Sequence, residues 1–485
     1  MIFSSYEFLF LFLPVVLLGY YLLPGRGRTL FLTLASYLFY GWWDYRFCGL
    51  MLLSTLIDYS AGEGIGRCTT RRGRKRWVAV SIISNLSLLG FFKYYDMFAA
   101  TLNYGLAALF PHSPISNLQS PIPLLHLVLP VGISFYTFQS MSYSIDLYHG
   151  RAKQTRSFLD FACYVSLFPQ LVAGPIVRYH ELADQLVERR HSMALVARGA
   201  ALFILGFSKK VLVADAVAPL TSLAFDTSSP GLVAAWVGTL AYAMQIYFDF
   251  SGYSDMAIGL GLLFGFRFPI NFNSPYKAES ITDFWRRWHI SLSNWLRDYL
   301  YIPLGGNRIS VHRTYINLML VMLLGGLWHG ANWTFVVWGG IHGVLLAWER
   351  FRGTGHADKP AWGRARTFIV VCVAWVPFRA ASVGDAVGIW RGLVGLNGWG
   401  GVIHWNGALP LYAILILLGA TLVIAFFLPN SWSILRMNLE PEEAPAFGSS
   451  WATIFLRTGV ALLLFLLSTA VLMINSSSPF LYFQF

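Results

Sequence analysis

At 485 residues the chain is long enough for about three soluble domains, yet it is 56% hydrophobic, 16% aromatic and only 12% charged, where soluble proteins carry about 25% charged residues. This composition excludes an ordinary soluble enzyme and predicts an all-α, polytopic integral membrane protein; the apolar runs recur with short connectors, so residues 1–485 read as a single membrane domain. A net charge of +12 could suggest nucleic acid, but the Lys and Arg residues cluster at the ends of apolar spans, and this is the positive-inside pattern. A hydrocarbon core about 30 Å thick needs roughly twenty apolar helical residues. By that ruler residues 6–23, 29–43 and 47–59 are the first spans. No basic segment precedes Arg26 and no small-residue cleavage site follows the first run, so this span is expected to be retained rather than cleaved.

Arg67, Arg71, Arg72, Arg74, Lys75 and Arg76 form the densest cationic stretch, placed in the cytoplasm. The next span leads to a loop near residues 101–124 that has no Lys or Arg but contains Pro111, Pro114, Pro121 and Pro123; it is expected to face the opposite side. Lys93, with Asp96 close by, mildly offends the rule. Residues 125–147 return to a second basic stretch with Arg151, Lys153 and Arg156. Pro169, Gly174 and Pro175 interrupt the apolar run 158–177, and irregular backbone survives at membrane depth only inside protein or along a cavity, so a re-entrant or kinked element is expected. From 156 to 210 the cations lie too close together for simple alternation. Between Lys210 and Arg267 no cation occurs, and Asp249 and Asp255 flank Phe-Ser-Gly-Tyr-Ser. Buried carboxylates need partners: either they position arginines or substrate near a site, or they form structural ion pairs or protonated acids between helices.

Residues 279–308 turn amphipathic, with Trp285, Trp288 and Trp295 among Arg286, Arg287 and Arg297, as expected of an interfacial segment. An apolar hairpin then rises from Tyr315 and returns to Arg350 and Arg352. Further spans at 368–378, 409–428 and 454–474 bring the total to about eleven crossings. Cys48, Cys68, Cys163 and Cys372 show no CxxC spacing, and neither a disulfide framework nor a zinc site is expected. There is no H-E-x-x-H, no Walker A loop and no G-x-S-x-G elbow.

The hairpin carries Gly-Gly-Leu-Trp-His-Gly-Ala-Asn at residues 325–332, which sets His329 inside an uncharged run. An ionisable side chain at membrane depth marks a candidate functional site. Desolvation disfavours imidazolium, leaving a neutral ring able to accept a proton, the state a general base needs. The alternative is a histidine hydrogen-bonded between helices, the role expected of His342 in the same run. Gly325, Gly326 and Gly330 allow close approach of backbone or ligand. A second histidine, His289, sits in Phe-Trp-Arg-Arg-Trp-His-Ile-Ser at 284–291. If Arg313 marks the cytoplasmic edge, His329 lies sixteen residues further, roughly 24 Å along a straight helix, nearer the far face.

FWRRWHIS followed by LRDYLYIPLGGNR, together with LLGGLWHGANW, resembles the signature blocks of the membrane-bound O-acyltransferase (MBOAT) family, in its bacterial branch that O-acetylates exported polysaccharides. PVGISFYTFQSMSYSIDLYHG from Pro130, FPQLVAGPIVR from Phe168, YFDFSGYSDMAIGLGLLFGFRF from Tyr247 and both chain ends are similar to that branch as well. The resemblance implies a fold of transmembrane, re-entrant and interfacial helices around a central tunnel, located in the bacterial inner membrane. It implies transfer of acetyl from a cytoplasmic donor, acetyl-CoA, toward a polysaccharide such as alginate or cellulose, with His329 as catalytic base; His289 would either orient the donor or stabilise charge, or else serve as a hydrogen-bonded interfacial residue. Trp285, Arg286, Arg287 and Trp288 would then form the basic mouth for coenzyme A, whose phosphates suit arginine forks; lipid headgroups or acidic side chains are the competing partners. Periplasmic partners of the SGNH-hydrolase type would finish the transfer, since no Ser-His-Asp module is present here, and no nucleic acid is involved. Other readings are a transporter of an acylated carrier, or an MBOAT enzyme acting on protein or lipid.

Arg436 and Arg457 bracket the last polar loop with no Lys or Arg beyond them, so the final span should run outward and leave the tail, residues 478–485, in the periplasm. Its aromatics could anchor at the interface. Similar aromatic tails in bacterial polymer-acylation systems suggest instead that Tyr482 accepts acetyl transiently, which requires an adjacent base and a tail that reaches His329.

Overall fold

Backbone amides buried in hydrocarbon must find partners within the chain, and helices provide them locally. In the computed structural model, which describes residues 1–110, 121–353, 360–400, 410–435, 451–475 and 480–481, no β-strand occurs among the described residues. The N-terminal helices are α1 (Glu7–Leu22), α2 (Gly25–Gly41), α3 (Arg46–Arg67) and α4 (Arg71–Leu109). Large apolar side chains face outward along α1 (Leu11, Leu18) and α4 (Ile83, Leu86). Large exposed apolar faces are rare on soluble monomers and mark surfaces that meet a membrane or another protein. Among the described residues Arg71–Leu109 is the one helix long and apolar enough to cross by itself, with Glu7–Leu22, Leu411–Phe427 and Thr458–Ile474 as shorter apolar helices. The cationic run is not a loop: Arg67 ends α3, and Arg71 to Arg76 occupy the first turns of α4, whose cap Thr70 accepts from Gly73 N.

Helix α5 (Ile133–His149) starts later than the apolar run 125–147 predicts. Pro130 cannot donate to a helix, and Gly132 sits at φ 77; a Cβ there would also meet the Leu171 carbonyl oxygen at 2.7 Å. That carbonyl belongs to the broken segment foreseen at 158–177. Here α6 (Phe158–Ser166) is followed by a single turn, Phe168–Leu171, and irregular chain to Val177, with residues 161–177 buried. Its freed backbone groups are satisfied by side chains: Phe168 N donates to Ser36 Oγ, Ile176 N to Ser291 Oγ at 2.9 Å, and Tyr164 OH to Val177 O. Buried amides demand such partners.

After α7 (Tyr179–Val187), helices α8 (Met193–Ser208) and α9 (Leu232–Leu263) pack antiparallel through reciprocal glycines. A Cβ on Gly206 would come within 2.5 Å of the Gly252 oxygen, and one on Gly199 within 2.7 Å of the Gly259 oxygen. Small residues of this kind let membrane helices approach closely. The carboxylates flagged in the sequence pair with lysines of the facing segment: Lys209 with Asp255 and Lys210 with Asp249, each at 2.6 Å. They are interhelical ion pairs.

Two short helices, α10 (Ile281–Arg287) and α11 (Ile290–Leu296), precede the hairpin of α12 (Val311–His329) and α13 (Trp333–Arg352). A second glycine ladder joins α12 to α13, with Gly326 against the Phe335 carbonyl, Gly339 against that of Met322, and Gly343 against Met319. Helices α14 (Pro360–Arg379), α15 (Val383–Leu393), α16 (Leu411–Phe427) and α17 (Trp451–Asn475) complete the chain.

Candidate active site

Ser310 caps α12, its Oγ accepting from Arg313 N, and the helix continues without interruption to His329, its last residue. Gly330 then turns extended. His329 is buried, at 4% exposure, in an aromatic cage: its ring centroid lies 5.1 Å from Trp328, 5.2 Å from Trp338 and 5.1 Å from Phe378. The structure brings His289 beside it, with ring centroids 6.2 Å apart. His289 is the junction between α10 and α11 and holds the left-handed conformation, φ 42 and ψ 54, uncommon for a residue with a side chain and a frequent mark of functional positions. Its Nδ1 lies 3.1 Å from Asn271 Oδ1. That oxygen also accepts from the Ser291 backbone N and hydroxyl, so it is an acceptor and Nδ1 carries the proton. The hydrogen bond thereby fixes the tautomer and leaves Nε2 as the accepting nitrogen. Among the described residues, no group of three or more His, Cys, Asp or Glu side chains is placed to hold a metal ion.

One cavity reaches this histidine and another lies beside the residues that follow it. A cavity of about 160 Å³ has His329, Trp285, Gly325, Leu296, Arg297 and Tyr301 in its wall. Another, of about 400 Å³, is walled by the residues that follow His329, Gly330 to Asn332, together with Lys93, Asp96, Phe378 and Arg379. Phe378 both touches the His329 ring and lines the larger cavity, so little more than one aromatic ring separates the histidine from that side.

Lys93, noted in the sequence only as an exception to the charge rule, is part of this arrangement. Its ammonium donates to Trp328 O at 2.6 Å, His329 O at 3.2 Å and Ser134 Oγ at 3.3 Å, and Tyr94 OH donates to Leu327 O. Together they satisfy the terminal carbonyls of α12, where a cation is also favoured by the helix dipole. The signal available in the sequence was a lone lysine within an apolar helix.

The residues expected at the donor mouth separate. Trp285 lines the smaller cavity and donates from Nε1 to His342 Nδ1 at 3.3 Å, which gives His342 the structural hydrogen bond expected of it. Trp288 is buried against Phe284 and Trp375 and is not in the wall of that cavity. Arg287 is engaged by Asp283 at 2.9 Å, and Arg286 is exposed outside the cavity wall. Arg297 is the arginine that lines the cavity. Its neighbour Asp298 pairs with both Arg297 and Arg178; burial would raise that carboxyl, but the two guanidinium groups hold it below its ordinary range. Tyr482 lies outside the described residues.

A family model described as MBOAT, membrane-bound O-acyltransferase family, matches residues 150–376, a range that contains both histidines. The chain is 45% identical to the probable alginate O-acetylase AlgI of Azotobacter vinelandii, over the whole of both chains. It is 36% identical to the peptidoglycan O-acetyltransferase of Helicobacter pylori, over all of this chain and 98% of the other. With the teichoic acid D-alanyltransferase of Bacillus subtilis it shares 29% identity over 49% of this chain and 63% of that one.

Proposed function

From the premise that this chain belongs to the membrane-bound O-acyltransferase family and is therefore an acyltransferase, we propose that it carries acetyl groups across the bacterial inner membrane for O-acetylation of an exported polysaccharide. Alginate is the substrate named for the relative from Azotobacter vinelandii, and cellulose or another glycan is the alternative. The proposal includes a multi-pass membrane domain of about eleven crossings enclosing a central tunnel. Acetyl-CoA is the donor, entering the 160 Å³ cavity past Arg297. His329 takes the proton of an acceptor hydroxyl approaching through the larger cavity. The hydroxyl oxygen attacks the thioester carbonyl, the carbon–sulfur bond breaks, and the departing thiolate recovers the proton from the imidazolium. His289, with its tautomer set by Asn271, orients the reacting groups.

The observation that supports this reading is His329 in the wall of the smaller cavity, in contact with Phe378, which lines the larger one. A base so placed lets the acetyl group pass while coenzyme A stays on its own side. The relay through Tyr482 belongs to the same proposal, since Leu481, to which it is bonded, is buried in the apolar cluster that contains Trp338 and Phe378. A periplasmic SGNH-type transferase would take the acetyl group on to the polymer, and membrane lipids surround the whole.

His329→Ala tests the base: transfer from radiolabelled acetyl-CoA should fall by about 10²–10⁴-fold, the usual contribution of a general base, in protein that inserts and folds normally. Undiminished transfer would remove His329 from the mechanism. Tyr482→Phe tests the relay separately, because it keeps the ring and deletes only the hydroxyl; normal polymer acetylation would reduce Tyr482 to an anchor.

A further inference from the structure

Two described residues of the C-terminal tail lie inside the protein. Phe480 and Leu481 are buried, at 1% and 6% exposure. Phe480 stands edge-on to Tyr253 of α9 with ring centroids 4.6 Å apart, and its ring lies 5.0 Å from Lys210 Nζ. The backbone N–H of Leu481 donates to Asp249 Oδ2 at 3.0 Å, while Asp249 Oδ1 meets Lys210 Nζ at 2.6 Å. Lys210 also meets Asp215, at 2.7 Å.

One ammonium thus faces a buried carboxylate on α9, Asp249, and a partly buried one, Asp215, five residues away in its own segment. Asp249 joins the lysine's segment to α9 through Oδ1 and presents its second oxygen to the tail; an ionised acceptor makes a stronger bond to an N–H than a neutral one. Lys210 contributes a cation against the Phe480 ring, an attraction that strengthens when both partners are desolvated. Next to Asp249 in sequence, Phe250 packs edge-on against His289 at 4.7 Å, so one turn of α9 touches both the tail and that histidine.

We propose that Asp249 and Lys210 form a receptor for this chain's own C-terminal tail, acting as positioning residues that seat Phe480 and Leu481 against α9, at the turn whose Phe250 touches His289. The catalytic consequence rests on the acetyl-transfer reading above; the docking itself does not.

The full-length protein tests it. Cys48 and Cys68 are replaced by Ser, Leu481→Cys is added as a reporter, and the fully buried Cys163 and Cys372 remain as internal monitors of unfolding. With N-ethylmaleimide, the reporter should react slowly. In the Asp249→Leu background it should react at least about tenfold faster, the size expected from one lost charge-assisted hydrogen bond, while Cys163 and Cys372 stay protected. A reporter that reacts fast with Asp249 present, or equally slowly without it, overturns the docking. If Asp249→Leu exposes the two monitors, a tail variant decides instead. Leu481→Pro removes the donated N–H, and Leu481→Ala keeps it while also losing the leucine side chain. Polymer acetylation by the proline variant should fall at least about tenfold below that of the alanine variant, and equal activities would overturn the proposal. His329→Ala examines the chemistry independently of both, so failed docking and failed catalysis give different patterns.

Discussion

The glycine ladder beneath His329 makes a quantitative test of how the hairpin holds its histidine. A Cβ on Gly326 would lie 2.3 Å from the Phe335 carbonyl oxygen and 3.2 Å from Gly339 Cα, where ordinary contact begins near 3.4 Å. The obstacle is helical backbone, which cannot rotate away as a side chain would. Helices α12 and α13 must therefore part by about 1 Å, the shortfall between those distances, and overpacking of this kind costs about 1–3 kcal/mol. His329 is three residues further along the same helix, and a shift of about 1 Å at a reacting group can cost on the order of 100-fold in rate. Gly326→Ala should thus lower the thermal midpoint modestly and acetyl transfer severely. Gly340→Ala is the control: its Cβ would meet only Leu323 Cδ2, at 3.6 Å, and it should stay within about 0.5 kcal/mol of wild type. Acetyl-CoA turnover together with thermal unfolding reads both quantities. Equal behaviour of the two alanine variants, or full activity in Gly326→Ala, would refute the argument.

Lys93→Met removes the cation that satisfies the Trp328 and His329 carbonyls and should cost about 1–3 kcal/mol of stability with a clear loss of transfer; an unchanged melting curve would show that the cap is dispensable. His289→Asn keeps a residue that tolerates the left-handed backbone while deleting the imidazole, so it should fold normally and transfer acetyl at least about tenfold more slowly, and wild-type rates would assign His289 to structure alone. Arg297→Ala should raise KM for acetyl-CoA more than it lowers kcat, as expected for lost ground-state binding, whereas Arg286→Ala, outside the cavity wall, should change KM less; the reverse order would return the donor mouth to Arg286.

The elements legible in the sequence were those whose signal is local. Apolar runs located most helices, and the prolines and glycine of 158–177 announced a broken element because they disable hydrogen bonding wherever they stand. The starts of α4 and α5 were less readable, because capping by Thr70 and the left-handed turn at Gly132 decide them. What stayed hidden was pairing over distance. Gly199 and Gly206 recur at the same seven-residue interval as Gly252 and Gly259, but spacing alone does not say which helix faces which. Lys93 stood out as a cation, yet its acceptors lie 235 and 236 residues away. Asp249 was visible as a buried acid, but not its tail partner 232 residues on. Within the Trp- and Arg-rich stretch 279–308, composition did not say which arginine faces a cavity; Arg297 lines the one beside His329, and Arg286 and Arg287 do not.

The size of the smaller cavity decides between a short and a long acyl donor. Pockets that hold whole drug-sized ligands measure about 300–1,000 Å³, and a cavity of about 150 Å³ holds a molecule no larger than benzene. The cavity beside His329, at about 160 Å³, therefore has room for the acetyl thioester end of a donor, while the nucleotide must remain outside it. A fatty acyl chain would have to displace Leu296 or Met322, both packed in the wall. Purified enzyme should accordingly use acetyl-CoA in preference to butyryl- or octanoyl-CoA, by more than about tenfold in kcat/KM for the longer chain, since overpacking costs about 1–3 kcal/mol. Gly325→Ala sharpens the test, because its Cβ would project toward Leu296 Cδ1 at 3.2 Å and narrow the same wall without touching helix backbone. The variant should lose butyryl transfer more than acetyl transfer. If octanoyl-CoA were used as well as acetyl-CoA, or if Gly325→Ala lowered both donors equally, this cavity would not be the acyl site, and an enzyme acylating lipid or protein with long chains would become the better reading.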